Sequence, residues 1–204
     1  MDKQALRQSV RQRRAARSAE EQIIAADAIA ARAVAFLPQQ PGNITCFMSM
    51  PGEPGTGPLL SRLLERGHRV WMPRIMGHAL SWVHVTADTE YVTGPLGIRE
   101  PIGPAVESLE FADVVLMPAL AVDPAGRRLG QGGGYYDGAL ADLPVLVDGG
   151  PMLVALVHDD EVVDEVPIED HDRLVDAIVT PRRTLRTGRA GRPVREGPFG
   201  SPSD

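Results

Sequence analysis

The chain is poor in the residues on which several classes of function depend. Cys46 is its single cysteine in 204 residues, so neither an intramolecular disulfide nor a multi-cysteine zinc site can form, and this usage fits the reducing cytoplasm. Lys3 is its single lysine, against twenty arginines. A Schiff base or a Walker-type lysine therefore has no other residue to draw on. Aromatic residues make up 4%, too few for a nucleic-acid stacking platform. No run approaches the roughly 20 apolar residues of a membrane helix. No short apolar segment follows the basic start in the manner of a signal peptide. A cytoplasmic protein without membrane or nucleic-acid partners is the expectation, as a monomer or weak homodimer.

What remains is ordinary in amount and uneven in placement. With 43% hydrophobic residues, the chain fills one core and falls short of two independent domains. The net charge of −6 divides into +5 over residues 1–17, +4 over residues 182–204 and −15 between them. An acidic body argues against a nucleic-acid groove in the core. From about Thr184 the composition turns to arginine, glycine, proline and serine, which predicts a disordered tail over 184–204 and a single domain over 1–183.

Residues 2–17 read as a helix on which Lys3, Arg7, Arg11 and Arg14 share one cationic face. Ser18 and Glu21 form a capping box ahead of a second helix ended by Pro38. Residues 43–50 read as a buried strand, followed by the turn PGEPGTGP and a helix over about 58–66. Strands follow at 68–73 and 80–85, mostly loop at 86–110, and strands at 114–117, 152–157 and 177–180. Alternating strands and helices imply a layered α/β sheet that binds its ligand beyond the carboxyl ends of its strands.

The chemistry concentrates at Gly130, Gln131, Gly132, Gly133, Gly134, Tyr135, Tyr136 and Asp137. Glycines clear side chains from a backbone that must approach an anion, and a helix starting just afterwards adds its positive end. The spacing is not the dinucleotide fingerprint, since Tyr135 stands where glycine would be required. It is not Walker A either, since no Lys-Ser/Thr pair follows. On spacing alone the run is a phosphate cradle or simply a flexible loop. Arg127, Arg128 and Asp137 beside it favour the cradle, since arginine clamps phosphate and a carboxylate can hold Mg²⁺.

The string RLGQGGGYYD at 128–137, preceded by MPALAVD and followed by PIEDHDRLVDAIVTP, resembles the 5-formyltetrahydrofolate cyclo-ligases, also called methenyltetrahydrofolate synthetases. Lys3, Leu6 and Arg7, GEPGT at 52–56, MPR at 72–74 and GIREP at 97–101 match in the same order, so the resemblance spans about residues 1–182. Gln131, Val122 and the basic tail depart from the pattern. The resemblance implies a Rossmann-like α/β/α fold with a mostly parallel sheet. It also implies an enzyme converting 5-formyltetrahydrofolate to 5,10-methenyltetrahydrofolate with ATP and Mg²⁺, through a phosphorylated formyl intermediate.

By that resemblance Lys3, Arg7 and Arg128 supply positive charge to ATP, which Leu129, Gly130 to Gly134, Tyr135 and Tyr136 also contact. Lys3, Arg128 and Tyr135 are the catalytic candidates. Arg7, Glu53 and residues Gln131 to Tyr135 contact the folate, and Asp137 with Asp172 holds Mg²⁺. Taken by themselves these residues admit plainer roles. Lys3 and Arg7 could form a solvated face, Glu53 an exposed turn, and the tyrosines could pack on the sheet. Asp172 is one acid of many between 159 and 172, and His171 beside it could serve as a general acid. Two other functions fit the same pattern: a folate or nucleotide binding module without turnover, and a sugar-phosphate isomerase, for which no general base stands out.

Overall fold

The computed structural model describes residues 2–169 and 172–187, together with the backbone of Arg195 and Glu196. Among the described residues, four α-helices, α1 (Lys3–Ala15), α2 (Ala19–Phe36), α3 (Gly57–Glu65) and α4 (Tyr135–Leu140), accompany thirteen short strands. In chain order these are β1 (Asn43–Thr45), β2 (Arg69–Met76), β3 (Ala79–Val85), β4 (Tyr91–Thr93), β5 (Arg99–Pro101), β6 (Ala105–Val106), β7 (Val114–Pro118), β8 (Ala121–Val122), β9 (Arg128–Leu129), β10 (Met152–Leu156), β11 (Ala177–Val179), β12 (Thr184–Arg186) and β13 (Arg195–Glu196).

Nine strands form one sheet in the order β13-β12-β11-β10-β7-β1-β2-β3-β6. The five central strands, β11 to β2, run parallel, and antiparallel pairs extend both edges. The mixed α/β architecture with a mostly parallel sheet is thus the one expected. Two-sided burial explains why β7 and β10 read as unbroken apolar runs. Val114 and Leu116 of β7, with Met152, Val154 and Leu156 of β10, pack with α2 and α3 on one face. Their neighbours Val115, Met117, Leu153 and Ala155 pack with Leu140 of α4 on the other. Each fully buried aliphatic side chain contributes about 1.5–3 kcal/mol.

Local signals set the helix ends. Asp2 caps α1, its Oδ1 accepting from the Ala5 amide at 2.8 Å. Ser18 and Glu21 make both halves of the expected capping box on α2. Helix α1 does not lie on the main sheet faces. Its Leu6 and Val10 bury against Leu120, Ala121, Leu129 and Val166, a separate apolar cluster around the β8–β9 hairpin. The stripe expected to be a cationic face therefore has an apolar neighbour stripe that docks it.

Two expectations are corrected. The strand expected over residues 43–50 ends at Thr45, because the chain leaves the sheet to close a turn. There Ser49 Oγ donates to the Pro54 carbonyl at 2.6 Å and Thr56 Oγ1 to the Phe47 carbonyl. Residues 86–110 are mostly loop as expected, with the short β4–β5 hairpin and the edge strand β6 set within them. The disorder expected from Thr184 onward does not hold for residues 184–186, because β12 pairs antiparallel with β11 and buries Leu185. Residues 188–194 and 197–204 of that tail lie outside the described residues, as do Asp170 and His171. Among the described residues no helix is long and apolar enough to cross a membrane.

Candidate functional site

A cavity of about 720 Å³ opens where β1, β2 and β7 end, lined by Phe47 and Met48, Pro73 and Ile75, and Pro118 to Leu120. This is the carboxyl edge of the parallel strands, and the volume lies in the range of small-molecule sites. Every candidate residue carried by the resemblance lines it. Lys3 and Arg7 come from α1, Glu53 from the β1–α3 loop, Arg128 and Leu129 from β9, and Asp172 from the segment before β11. The loop Gly130 to Gly134 and the following Tyr135, Tyr136 and Asp137 form one wall.

The glycine loop has the conformation its composition demands. Gly132 and Gly134 have φ of +106° and +69°, where a side chain is strained. Gly134 is the residue that starts α4, and no side chain caps that start. Helix α1 clamps the loop from outside. Arg7 Nε donates to the Gly130 carbonyl at 3.0 Å, and Arg11, one turn on, donates to Gln131 Oε1 at 2.9 Å. Sequence spacing of four thus becomes two parallel contacts with neighbouring loop residues.

Lys3 and Arg128 of the lining are paired with carboxylates. Lys3 Nζ lies 3.0 Å from both Glu169 Oε1 and Asp172 Oδ2. Burial opposes the charge on Lys3, but the hydrogen bonds to Glu169 and Asp172 outweigh it and hold the ammonium above the usual lysine range. Arg128 forks onto Asp137, Nη2 to Oδ1 at 2.6 Å and Nη1 to Oδ2 at 3.4 Å. Its Nε is buried with no partner among the described residues, a donor left over at the cavity wall. Arg127 points elsewhere, to Asp123 and Glu165, and does not line the cavity.

The two expected metal ligands share the cavity lining, yet each holds a cation of the protein. No three His, Cys, Asp or Glu side chains gather into a metal-holding group among the described residues. This donor set fits an ion such as Mg²⁺, which takes one or two carboxylates and completes its shell with phosphate oxygens and water. It does not fit an ion held by protein alone.

Glu53 lines the same cavity. The carboxylate is 6% exposed, with Oε2 accepting from the Met50 amide at 2.9 Å and Oε1 facing Arg14 Nη1 at 3.5 Å. Burial pushes its pKa up, against the pull of the Met50 amide and of Arg14. Both tyrosines also pack on the second core cluster. The Tyr136 hydroxyl is buried without a partner among the described residues, and burial drives its pKa up. Trp82 and Met72 belong to the core, and Trp71 stacks on Phe111 with centroids 4.3 Å apart. None of the three lines the cavity.

Some site residues escaped the sequence reading. Glu169 pairs with Lys3, and Arg173 donates through Nη1 to the carbonyls of Leu140 and Leu143, fixing the end of α4. Glu100, Ile98 and Leu96, from the β4–β5 hairpin and its turn, cover the cavity beside Ile75. Arg14 and Glu161 support Glu53 from behind. The signal for Arg14 was present, since it stands seven residues, two turns, beyond Arg7 on the same stripe.

A sequence model described as the 5-formyltetrahydrofolate cyclo-ligase family matches residues 1–181. The 5-formyltetrahydrofolate cyclo-ligase of Mycolicibacterium smegmatis is 38% identical over 71% of this chain and 76% of its own length. The enzyme of that name from Escherichia coli is 31% identical over 85% and 97%. The solved structure of Aquifex aeolicus 5,10-methenyltetrahydrofolate synthetase superposes with a TM-score of 0.77 at 27% identity, covering 96% of this chain and 97% of that one. With its glycine loop, its paired cations and its buried carboxylate set around one cavity, the chain belongs to the 5-formyltetrahydrofolate cyclo-ligase family.

Proposed function

We propose that the chain converts 5-formyltetrahydrofolate and ATP to 5,10-methenyltetrahydrofolate, ADP and phosphate. The observation that carries the reading is one cavity lined both by cations with a glycine loop and by a buried carboxylate with apolar side chains. Lys3, Arg7, Arg128 and the glycine loop suit a triphosphate, and a buried carboxylate among apolar side chains suits a flat heterocycle bearing N–H donors. Both substrates meet there, as a direct transfer requires.

The formyl group on N5 is amide-like and resists attack, so its oxygen must first be made a leaving group. That oxygen attacks the γ-phosphorus of ATP and ADP departs, leaving N5 joined to an iminium carbon that carries phosphate. N10 then attacks this carbon, loses its proton and expels phosphate, closing the five-membered ring. Catalysis of the first step is positioning and charge neutralisation. Lys3, Arg7 and Arg128 supply the cations, and the Gly130 to Gly134 backbone lies against the phosphates. Mg²⁺, held by Asp137 and Asp172 with the nucleotide, would offset phosphate charge. Arg128 and Lys3, now engaged with those two carboxylates, then become available to the nucleotide. Tyr135 and Gln131 border both substrates, and Glu53 accepts from the pterin.

The test is to follow the near-ultraviolet absorbance of the methenyl product with purified protein, 5-formyltetrahydrofolate and MgATP. Growth of the band that requires ATP, stops with chelator and falls by about 10²-fold or more in Asp137→Ala is expected. Binding of both ligands with no band would replace this reading by a binding module without turnover.

A further inference from the structure

Arg14, Glu53 and Glu161 are 5%, 6% and 0% exposed and come from three separate segments: α1, the β1–α3 loop and the 3-10 turn Asp159–Glu161 that follows β10. Arg14 forks onto Glu161, Nε to Oε1 at 2.8 Å and Nη2 to Oε2 at 3.0 Å, and Nη2 also donates to the Ala119 carbonyl at 2.7 Å. Glu161 Oε2 accepts in addition from the His158 amide at 3.0 Å, and Arg17 Nη1 stands 3.7 Å from Oε1. Glu53 lines the cavity; Arg14 and Glu161 do not.

The same pair grips the residue before Glu53. Gly52 has φ of +83°, and a Cβ there would come 3.0 Å from Arg14 Cβ, so the arginine stem packs directly on this turn. From the Glu161 side, His158 Nε2 lies 3.3 Å from the Gly52 carbonyl oxygen. A buried ion pair is a poor device for stability alone, because apolar residues of similar volume serve as well or better. One aimed at the turn that presents Glu53 serves orientation.

We propose that Arg14 and Glu161 are positioning residues for the folate end of the site, holding the Gly52–Glu53 turn so that the Glu53 carboxylate faces the pterin. The inference rests on the cyclo-ligase reading above. Nucleotide recognition is separable from it, because Lys3 and Arg7 are held by their own contacts and by Leu6 and Val10 in the apolar cluster around β8–β9.

The charges facing Glu53 give the role a signature that packing alone lacks. These are Arg14 from α1, Glu161 from the turn after β10 and Tyr136 from α4, with Met50 N–H from its own loop; His158 and Arg17 face Glu161. Arg14→Met removes the attraction and leaves the repulsion of Glu161, so Glu53 protonates at higher pH. Adding Glu161→Gln removes the repulsion and keeps an acceptor for the His158 amide.

The experiment compares the full-length protein with Arg14→Lys, Arg14→Met and Arg14→Met/Glu161→Gln, measuring KM for each substrate and kcat/KM for the folate against pH. For Arg14→Met the expected result is a folate KM raised about tenfold or more, with the ATP KM within about twofold. The acidic limb of its folate profile moves to higher pH. Arg14→Lys recovers part of the loss, and the double variant returns the limb while keeping a raised folate KM. A folate KM that does not move, two KM values that rise together, or a limb that stays fixed would overturn the proposal. Should Arg14→Met not fold, the double variant leaves no lone buried charge from the pair and decides alone: a wild-type folate KM in it overturns the role. Absence of turnover in the unmutated protein overturns the cyclo-ligase reading itself, whereas turnover with unmoved KM values overturns only the positioning role.

Discussion

Glu53 shows what the site costs its own fold. Its carboxylate is buried, and burial, reinforced by Glu161, raises its pKa above the unfolded value of 4.5. A carboxylate with a raised folded-state pKa binds more protons folded than unfolded between those two values, so the stability it gives at low pH is lost as pH rises through the folded pKa. At neutral pH the ionised group therefore weakens the fold, and Arg14 and the Met50 amide offset only part of this. Glu53→Gln is expected to melt a few degrees higher at pH 7, the response of a chain this size to about 1 kcal/mol, while its folate turnover falls. The advantage should shrink as pH drops towards 4.5, where the native residue is itself protonated. Thermal melts of both proteins from pH 4.5 to 7.5 check this; a variant less stable at pH 7 would contradict it. Nothing in the sequence announced the burial of Glu53. Its partners Arg14 and Glu161 stand 39 and 108 positions away, and the acidic stretch from 159 to 172 is uniform to the eye. Only folding turns Glu161 inward while Asp160 stays exposed. The glycine loop was legible because its demand is local: left-handed backbone needs glycine at Gly132 and Gly134.

Helix α1 is the element that converts a sequence stripe into a site. Its apolar residues Leu6 and Val10 dock it, and its polar edge brings Lys3 and Arg7 into the cavity lining and Arg14 onto Glu53. The reach from Lys3 to Arg14 is eleven residues, about 16 Å of helix, so one element serves the lining at Lys3 and supports it at Glu53. The first turn is held by the Asp2 cap, and Lys3 is the first helical residue. Asp2→Ala is expected to cost about 1 kcal/mol and to fray that turn, raising the KM for ATP several-fold while the folate KM changes little. Steady-state kinetics with each substrate varied in turn decide it, and a larger change for folate would show that α1 responds as a rigid rod. The start of α2 was readable from local chemistry, Ser18 and Glu21 lying three residues apart; the Asp2 cap of α1 was not read. Strand lengths were not, since β1 stops at Thr45 although the apolar run continues through Cys46 and Phe47. There the hydrogen bonds of the following turn, not apolarity, decide where pairing ends.

At the scale of the whole molecule, the parallel centre of the sheet was evident in its apolar runs and β3 in its strand reading at 80–85, whereas the margin at β12 was hidden by composition. Residues 184–186 sit among arginines, glycines and prolines, yet β12 covers the free edge of β11, and Leu185 packs into the second core cluster. Thr187 ties the end of that strand back, its amide donating to the Asp176 carbonyl at 3.0 Å and its hydroxyl to the Val175 carbonyl. Arg186 lies over the Phe36 ring at 5.3 Å and so reaches α2 as well. The family match ends at residue 181, so this margin is an extension beyond the matched segment. Ending the chain after Arg183 would remove the burial of Leu185, about 1.5–3 kcal/mol, and leave Ala177–Val179 as an open edge beside four parallel strands. An exposed, apolar, unpaired strand is a template for another chain. The shortened protein is therefore expected to melt about 5–10 °C lower and to associate as concentration rises, with kcat unchanged below its melting range because the cavity lies on the other side of β10. Calorimetry with light scattering on the two proteins measures both effects. Equal melting temperatures and equal mass would mean that β12 adds nothing to the sheet it borders, and that the core closes at β11 without it.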